Sequence, residues 1–100
     1  MKLAGRYDAQ DIFNHLKMHL GYFQAALSEV EEIGFKLANF GEASQIHIRS
    51  ISFHNPNLIE FHGVNSDGHT VMLVQHISQL NFLLVAVKPI KDKPYRIGFV

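Results

Sequence analysis

The sequence contains no cysteine, which excludes disulfides and thiolate metal sites and leaves no record of the redox compartment. It also lacks any excess of charge, since nine basic residues offset nine acidic ones. A neutral domain has neither the positive field that nonspecific DNA binding requires nor the acidity of a nucleic-acid mimic. No apolar run approaches the ~20 residues of a membrane-spanning helix, and no N-terminal stretch reads as a signal peptide. The expected location is therefore cytoplasmic, with neither membrane nor nucleic acid among the expected partners. Catalytic signatures are missing too. There is no Gly-rich phosphate loop, no G-x-S-x-G, no His-Glu-x-x-His and no nucleophile beside a base. The chain reads as non-catalytic, without cofactor and without metal.

What is present is apolar and ordered. The chain has 100 residues, of which 47% are hydrophobic, enough for a core and consistent with a single domain over 1–100. The stretch from Thr70 to Lys88 organises the rest. Its runs Val71–Val74 and Phe82–Val87 are short and rich in Val, Leu and Phe, so they read as strands. Phe82, Leu84 and Ala86 point one way and Leu83, Val85 and Val87 the other, so this strand is expected at the centre of a sheet, covered on both faces.

Upstream, Asp8 is placed to cap a helix. Ala9, Phe13, Leu16, Leu20, Phe23, Leu27, Val30, Gly34 and Leu37 recur at helical spacing, beside Ile12, His19, Ala26, Ile33 and Phe40. The spacing predicts one long helix ending at Gly41, with a break near 33 allowed by Gly34. Glu29, Glu31 and Glu32 fall on its solvated side. About 30 residues of helix span ~45 Å, whereas a seven-residue strand spans only ~23 Å. The overhang calls for a second copy of the chain.

Ile46 and Ile48 share one parity while Ile51 and Phe53 share the other, so the strand from Ser44 is expected to carry a bulge at Arg49-Ser50. His54-Asn55-Pro56-Asn57 is turn chemistry, and Asn65-Ser66-Asp67-Gly68 is a hairpin turn between Leu58–Val64 and the Thr70 strand. Tyr95 to Val100 is expected to close as an edge strand with Tyr95, Ile97 and Phe99 inward. The predicted fold is α+β: an N-terminal long helix packed on an antiparallel meander of four or five strands, completed by homodimerisation.

His54-Asn55-Pro56 followed by Leu58-Ile59 and Phe61, Gln75-His76-Ile77-Ser78-Gln79-Leu80, and Arg96-Ile97-Gly98-Phe99 resemble a small bacterial and prophage family with no assigned function. The resemblance runs from about Phe23 onward and implies no activity. Glu60 departs from it, occupying a strand position where an apolar residue is expected. The prophage setting implies anti-defence work, by analogy with small dimeric phage proteins that sequester nucleotide signals.

The remaining polar residues define the candidate site. Gln75, His76, Ser78 and Gln79 interrupt the most apolar stretch, where an unpaired polar group costs ~1–3 kcal/mol. Arg49 and Arg96 are each flanked by apolar residues and fit either an ion pair with Glu60 or a bidentate anion contact. A small anionic, nucleotide-like ligand would be held by Arg49, Arg96, His76, Ser78 and Gln79, with Phe82 or Tyr95 as a stacking face. His15 and His19 lie one helical turn apart without a third ligand, and His62 and His69 flank the hairpin. The alternative is a module that docks on a host protein through a sheet edge or through Met18, Tyr22 and Phe35.

Overall fold

The computed structural model of the protein describes residues 8–37 and 44–98. Its elements are α1 (Ala9–Ala25), β1 (Glu32–Leu37), β2 (Ser44–His54), β3 (Leu58–Asn65), β4 (Thr70–His76), a 3-10 turn at Ile77–Gln79, and β5 (Phe82–Val87). Asp8 starts the helix as expected. Its Oδ1 accepts the Asp11 N–H at 3.0 Å, and the Asp11 carboxylate accepts the Asp8 N–H at 3.2 Å. This reciprocal box satisfies two otherwise orphaned donors. The helix turns Ala9, Ile12, Phe13, Leu16, Leu20 and Phe23 toward the sheet, and the Phe13 ring meets Phe53 at 4.9 Å.

The helix is 17 residues, about 25 Å long, and not the long rod expected. It ends before Ser28, whose N–H and hydroxyl both donate to the Glu31 carboxylate. Residues 32–37 are a strand because Glu-Ile-Gly-Phe-Lys-Leu alternates: Ile33, Phe35 and Leu37 go to the core, and Glu32, Gly34 and Lys36 to the other face. The helical reading of Gly34 and Leu37 mistook a period of two for the edge of a 3.6 repeat. With the rod shortened, the overhang that called for a second copy is gone. Phe40 and Gly41 lie outside the described residues.

The sheet is antiparallel, in the order β4-β3-β2-β1-β5. β1 to β4 form a meander, and β5 returns to the free side of β1. The expectation that β5 is central is therefore corrected: β5 is an edge strand, with Leu83 61% exposed on its outer face. Tyr95–Gly98 has no strand ladder, and Phe99 and Val100 lie outside the described residues.

The register slips between Ile48 and Ser50, so the bulge at Arg49 is where the change of parity predicts it. Bulges bend strands, and this sheet is strongly curled. β3 and β5 are three strand positions apart, about 14 Å if the sheet were flat. Yet the Phe61 and Phe82 rings lie 5.2 Å apart, and both touch Phe35. The concave face closes on these rings and on Ile33, Ile48 and Ile59. Phe35, Phe61, Ile33, Ile48 and Ile59 are fully removed from water, and each contributes roughly 1.5–3 kcal/mol. Gly63 lets β2 and β3 approach: a Cβ there would stand 2.2 Å from the His47 carbonyl oxygen. At the predicted hairpin, Gly68 takes φ +82°, and the Asn65 side chain accepts from the Asp67 and His69 N–H groups.

Candidate functional site

Two carboxylates organise the polar chemistry of the convex face. Alternation in β1 drives Glu32 onto that face, where the C-terminal segment covers it to 1% exposure. A buried charge needs partners, and Glu32 has them. Its Oε1 accepts the Tyr95 N–H at 2.9 Å. Its Oε2 accepts from His47 Nδ1 at 2.7 Å and from Arg49 Nη1 at 3.0 Å. Burial pushes the Glu32 pKa up, but the Tyr95 N–H, His47 and Arg49 outweigh it and hold the group below the usual carboxylate range. The Arg49 guanidinium also lies 4.7 Å over the Tyr95 ring. Glu32 thus ties β1, β2 and the C-terminal segment together.

The second carboxylate is Glu60 on β3, directly across from Ser52 on β2. His54 Nε2 reaches Oε2 at 2.7 Å, and His62 Nε2 reaches Oε1 at 3.2 Å. The Ser52 hydroxyl donates to Oε1 at 3.2 Å and also lies 3.3 Å from His62 Nε2. Desolvation raises the Glu60 pKa, while the His54 charge, the hydrogen bonds from Ser52 and His54, and the His62 charge bring it below the ordinary value. Serine, histidine and glutamate are together here, but not as a relay. In a triad the carboxylate holds the ring nitrogen opposite the serine, whereas Glu60 and Ser52 share His62 Nε2. Among the described residues, no three or more histidine, aspartate or glutamate side chains are arranged to hold a metal ion.

A family model matches residues 2–100. The chain belongs to that family, DUF6173, a family of unknown function. No curated protein and no solved structure matches. In this DUF6173 chain the residues singled out from sequence fall into separate places. Arg49 and Tyr95 come together at Glu32. Arg96 turns away and donates to the Glu31 and Ser28 carbonyls at 2.6 and 3.0 Å, clamping the turn after α1. The expected ion pair of an arginine with Glu60 is replaced by the histidine contacts.

His76 ends β4 and caps the 3-10 turn that holds Ser78 and Gln79, its Nδ1 accepting the Ser78 N–H at 3.1 Å and lying 2.8 Å from the Ser78 hydroxyl. His76 is level with His54 and two strands over from β2, and His54 is about 16 Å along that strand from Arg49. Phe82 gives its ring to the core, stacked on Phe35 at 4.2 Å. These seven residues are thus spread over the Glu32 cluster, the turn after α1, the turn after β4 and the core. The loop of residues 88–94, which carries Lys88, Lys91 and Lys93, borders a recess of about 430 Å³ in which Lys88 is mixed with Glu29 and Asp92, so its charge is not of one sign.

Sequence reasoning missed Glu32 and His47, taking Glu32 for part of a solvated helix face. The alternation of residues 32–37 was the available signal. Phe35, expected as a surplus apolar residue, is fully buried, while Met18 and Tyr22 are exposed at 45% and 69%. Of the two histidines that flank the hairpin, His62 faces Met72 across the ladder.

Proposed function

We propose that this chain is a non-catalytic protein-interaction module. One observation carries the reading: among the large apolar side chains that stay in water, two pairs lie side by side on a single element, at two places. The first place is the outer turn of α1, where Met18 and Tyr22 border a shallow recess with Asn14, Lys17 and Gly21. The second is β4, where Met72 and Val74 are 58% and 45% exposed on an uncharged edge strand. Burying such groups against a partner is favourable at ~25 cal/mol per Å² of apolar area. The test is capture of a stoichiometric partner by the full chain, repeated with Met18→Ala/Tyr22→Ala and with Met72→Lys/Val74→Lys. The reading expects retention to fail with at least one pair. Retention unchanged by both pairs refutes it.

A second reading, sequestration of a small anionic ligand by a homodimer of prophage origin, is favoured by one feature. Arg49 keeps 21% of its side chain exposed and lies against the half-exposed Tyr95 ring, a pairing that suits a stacked anionic ring system. Calorimetry with a nucleotide panel tests it. Heat that disappears with Arg49→Met supports it, and silence across the panel removes it.

A further inference from the structure

We infer that β4 pairs with β4 of a second copy, antiparallel about a twofold axis at Leu73, so that one curled sheet continues into the other. The inference rests on the reading of β4 as a docking edge and names its occupant. Backbone bonds bracket the β3–β4 ladder: Asn65 N–H donates to the His69 carbonyl and Ile77 N–H to the Asn57 carbonyl, both at 2.9 Å. Antiparallel pairs alternate between bonded and non-bonded. With Gly63 opposite Val71, Phe61 opposite Leu73 and Ile59 opposite Gln75, those β4 residues bond inward. Thr70, Met72, Val74 and His76 therefore aim their N–H and C=O groups away from the sheet. Among the described residues no strand takes them.

Edge strands are normally blunted by charge, proline, a bulge or shortness. β4 is seven residues long, has no charged residue and no proline, and keeps an unbroken register with β3. Pairing with itself must join outward-bonding residues to outward-bonding residues. Of the registers that do so, the one centred on Leu73 uses the whole strand. Met72 then lies opposite Val74 of the second copy, and Thr70 opposite His76, so the exposed Met72 and Val74 cover each other. On the concave side Leu73 meets Leu73, and Val71 meets Gln75. No like charges meet, and the twofold axis closes the assembly at two copies. β5 is a weaker edge for this purpose. Val85 and Val87 already lie over Gly34, within 3.0–3.3 Å of where its Cβ would stand, leaving Leu83 as the main exposed bulk.

Light scattering on the eluting full chain should give twice 11.4 kDa, falling to a single copy in Val74→Lys. The register is read by cysteines, because the native chain has none. Bonded pairs bring Cα atoms to about 5.5 Å, within disulfide range. Met72→Cys/Val74→Cys should therefore form a covalent dimer on mild oxidation, while either single variant should not. A monomeric native chain overturns the inference. So does a dimer that survives Val74→Lys or resists cross-linking in the double variant. If the native chain is monomeric yet captures a partner in a way that depends on Met72 and Val74, self-pairing falls and the interaction reading stands. If capture also ignores both variant pairs, the two fall together.

Discussion

Replacing Glu32 by glutamine changes one atom and removes one charge. The amide keeps an acceptor for the Tyr95 N–H but turns an NH₂ group toward His47 Nδ1 and Arg49 Nη1, both of which pointed at a carboxylate. Each hydrogen bond to a charged group contributes ~1.5–3 kcal/mol, and breaking a buried ion pair costs ~3–5 kcal/mol. Arg49 is partly exposed and regains some water, which places the expected loss near 3 kcal/mol. At ~4–8 °C per kcal/mol for a domain of this size, the Tm should fall by about 12–24 °C. Urea unfolding at neutral pH measures the loss directly. The pH dependence gives a second readout. The folded pKa of Glu32 lies below its unfolded value of ~4.3, so the native chain is stabilised above that pH and loses the contribution as the pH falls through the folded value. Glu32→Gln should therefore flatten the acid limb of the stability curve. A loss under ~1 kcal/mol, together with an unchanged acid limb, would refute the account of Glu32 as the tie between sheet and C-terminal segment.

Other expectations follow from single contacts. Phe35→Ala empties the centre of the three-ring cluster and should cost about 3–5 kcal/mol in urea unfolding. Gly63→Ala sets a methyl group against the His47 carbonyl and should cost about 1–3 kcal/mol, or more if β2 and β3 separate. Asp8→Ala removes the helix cap and should cost about 1 kcal/mol, read from thermal unfolding. The Glu60 carboxyl carbon should titrate below the ordinary glutamate midpoint by NMR, and His54→Ala should move that midpoint up.

Much of the fold is written in local pattern. The Asp8 cap, the Arg49 bulge and the Asn65–Gly68 hairpin each depend on neighbouring residues, and each lies where the pattern places it. The reading failed where a local pattern was ambiguous. Gly34 and Leu37 fit a helical seam and an alternating strand alike, and only the partner strands β2 and β5 decide between them. The same ambiguity hid Glu32, because a carboxylate in an acidic run looks solvated until the chain from residue 95 folds over it. Exposure at Met18 and Tyr22 was legible from helical phase. The split of Arg49, Arg96 and His76 was not, since it depends on how a curled sheet distributes its strand ends.

The segment from Pro94 to Gly98 has no ladder of its own. It is fastened by side chains: Gln24 both donates to and accepts from Ile97, Glu32 takes the Tyr95 N–H, and Arg96 grips the carbonyls of residues 28 and 31. Such a strap can lift away while the strands stay paired, which makes it a unit of local opening below the global unfolding free energy. Its amides should exchange with deuterium well before those of β2, and a protease should nick the chain near Lys91 while the curled sheet is still intact.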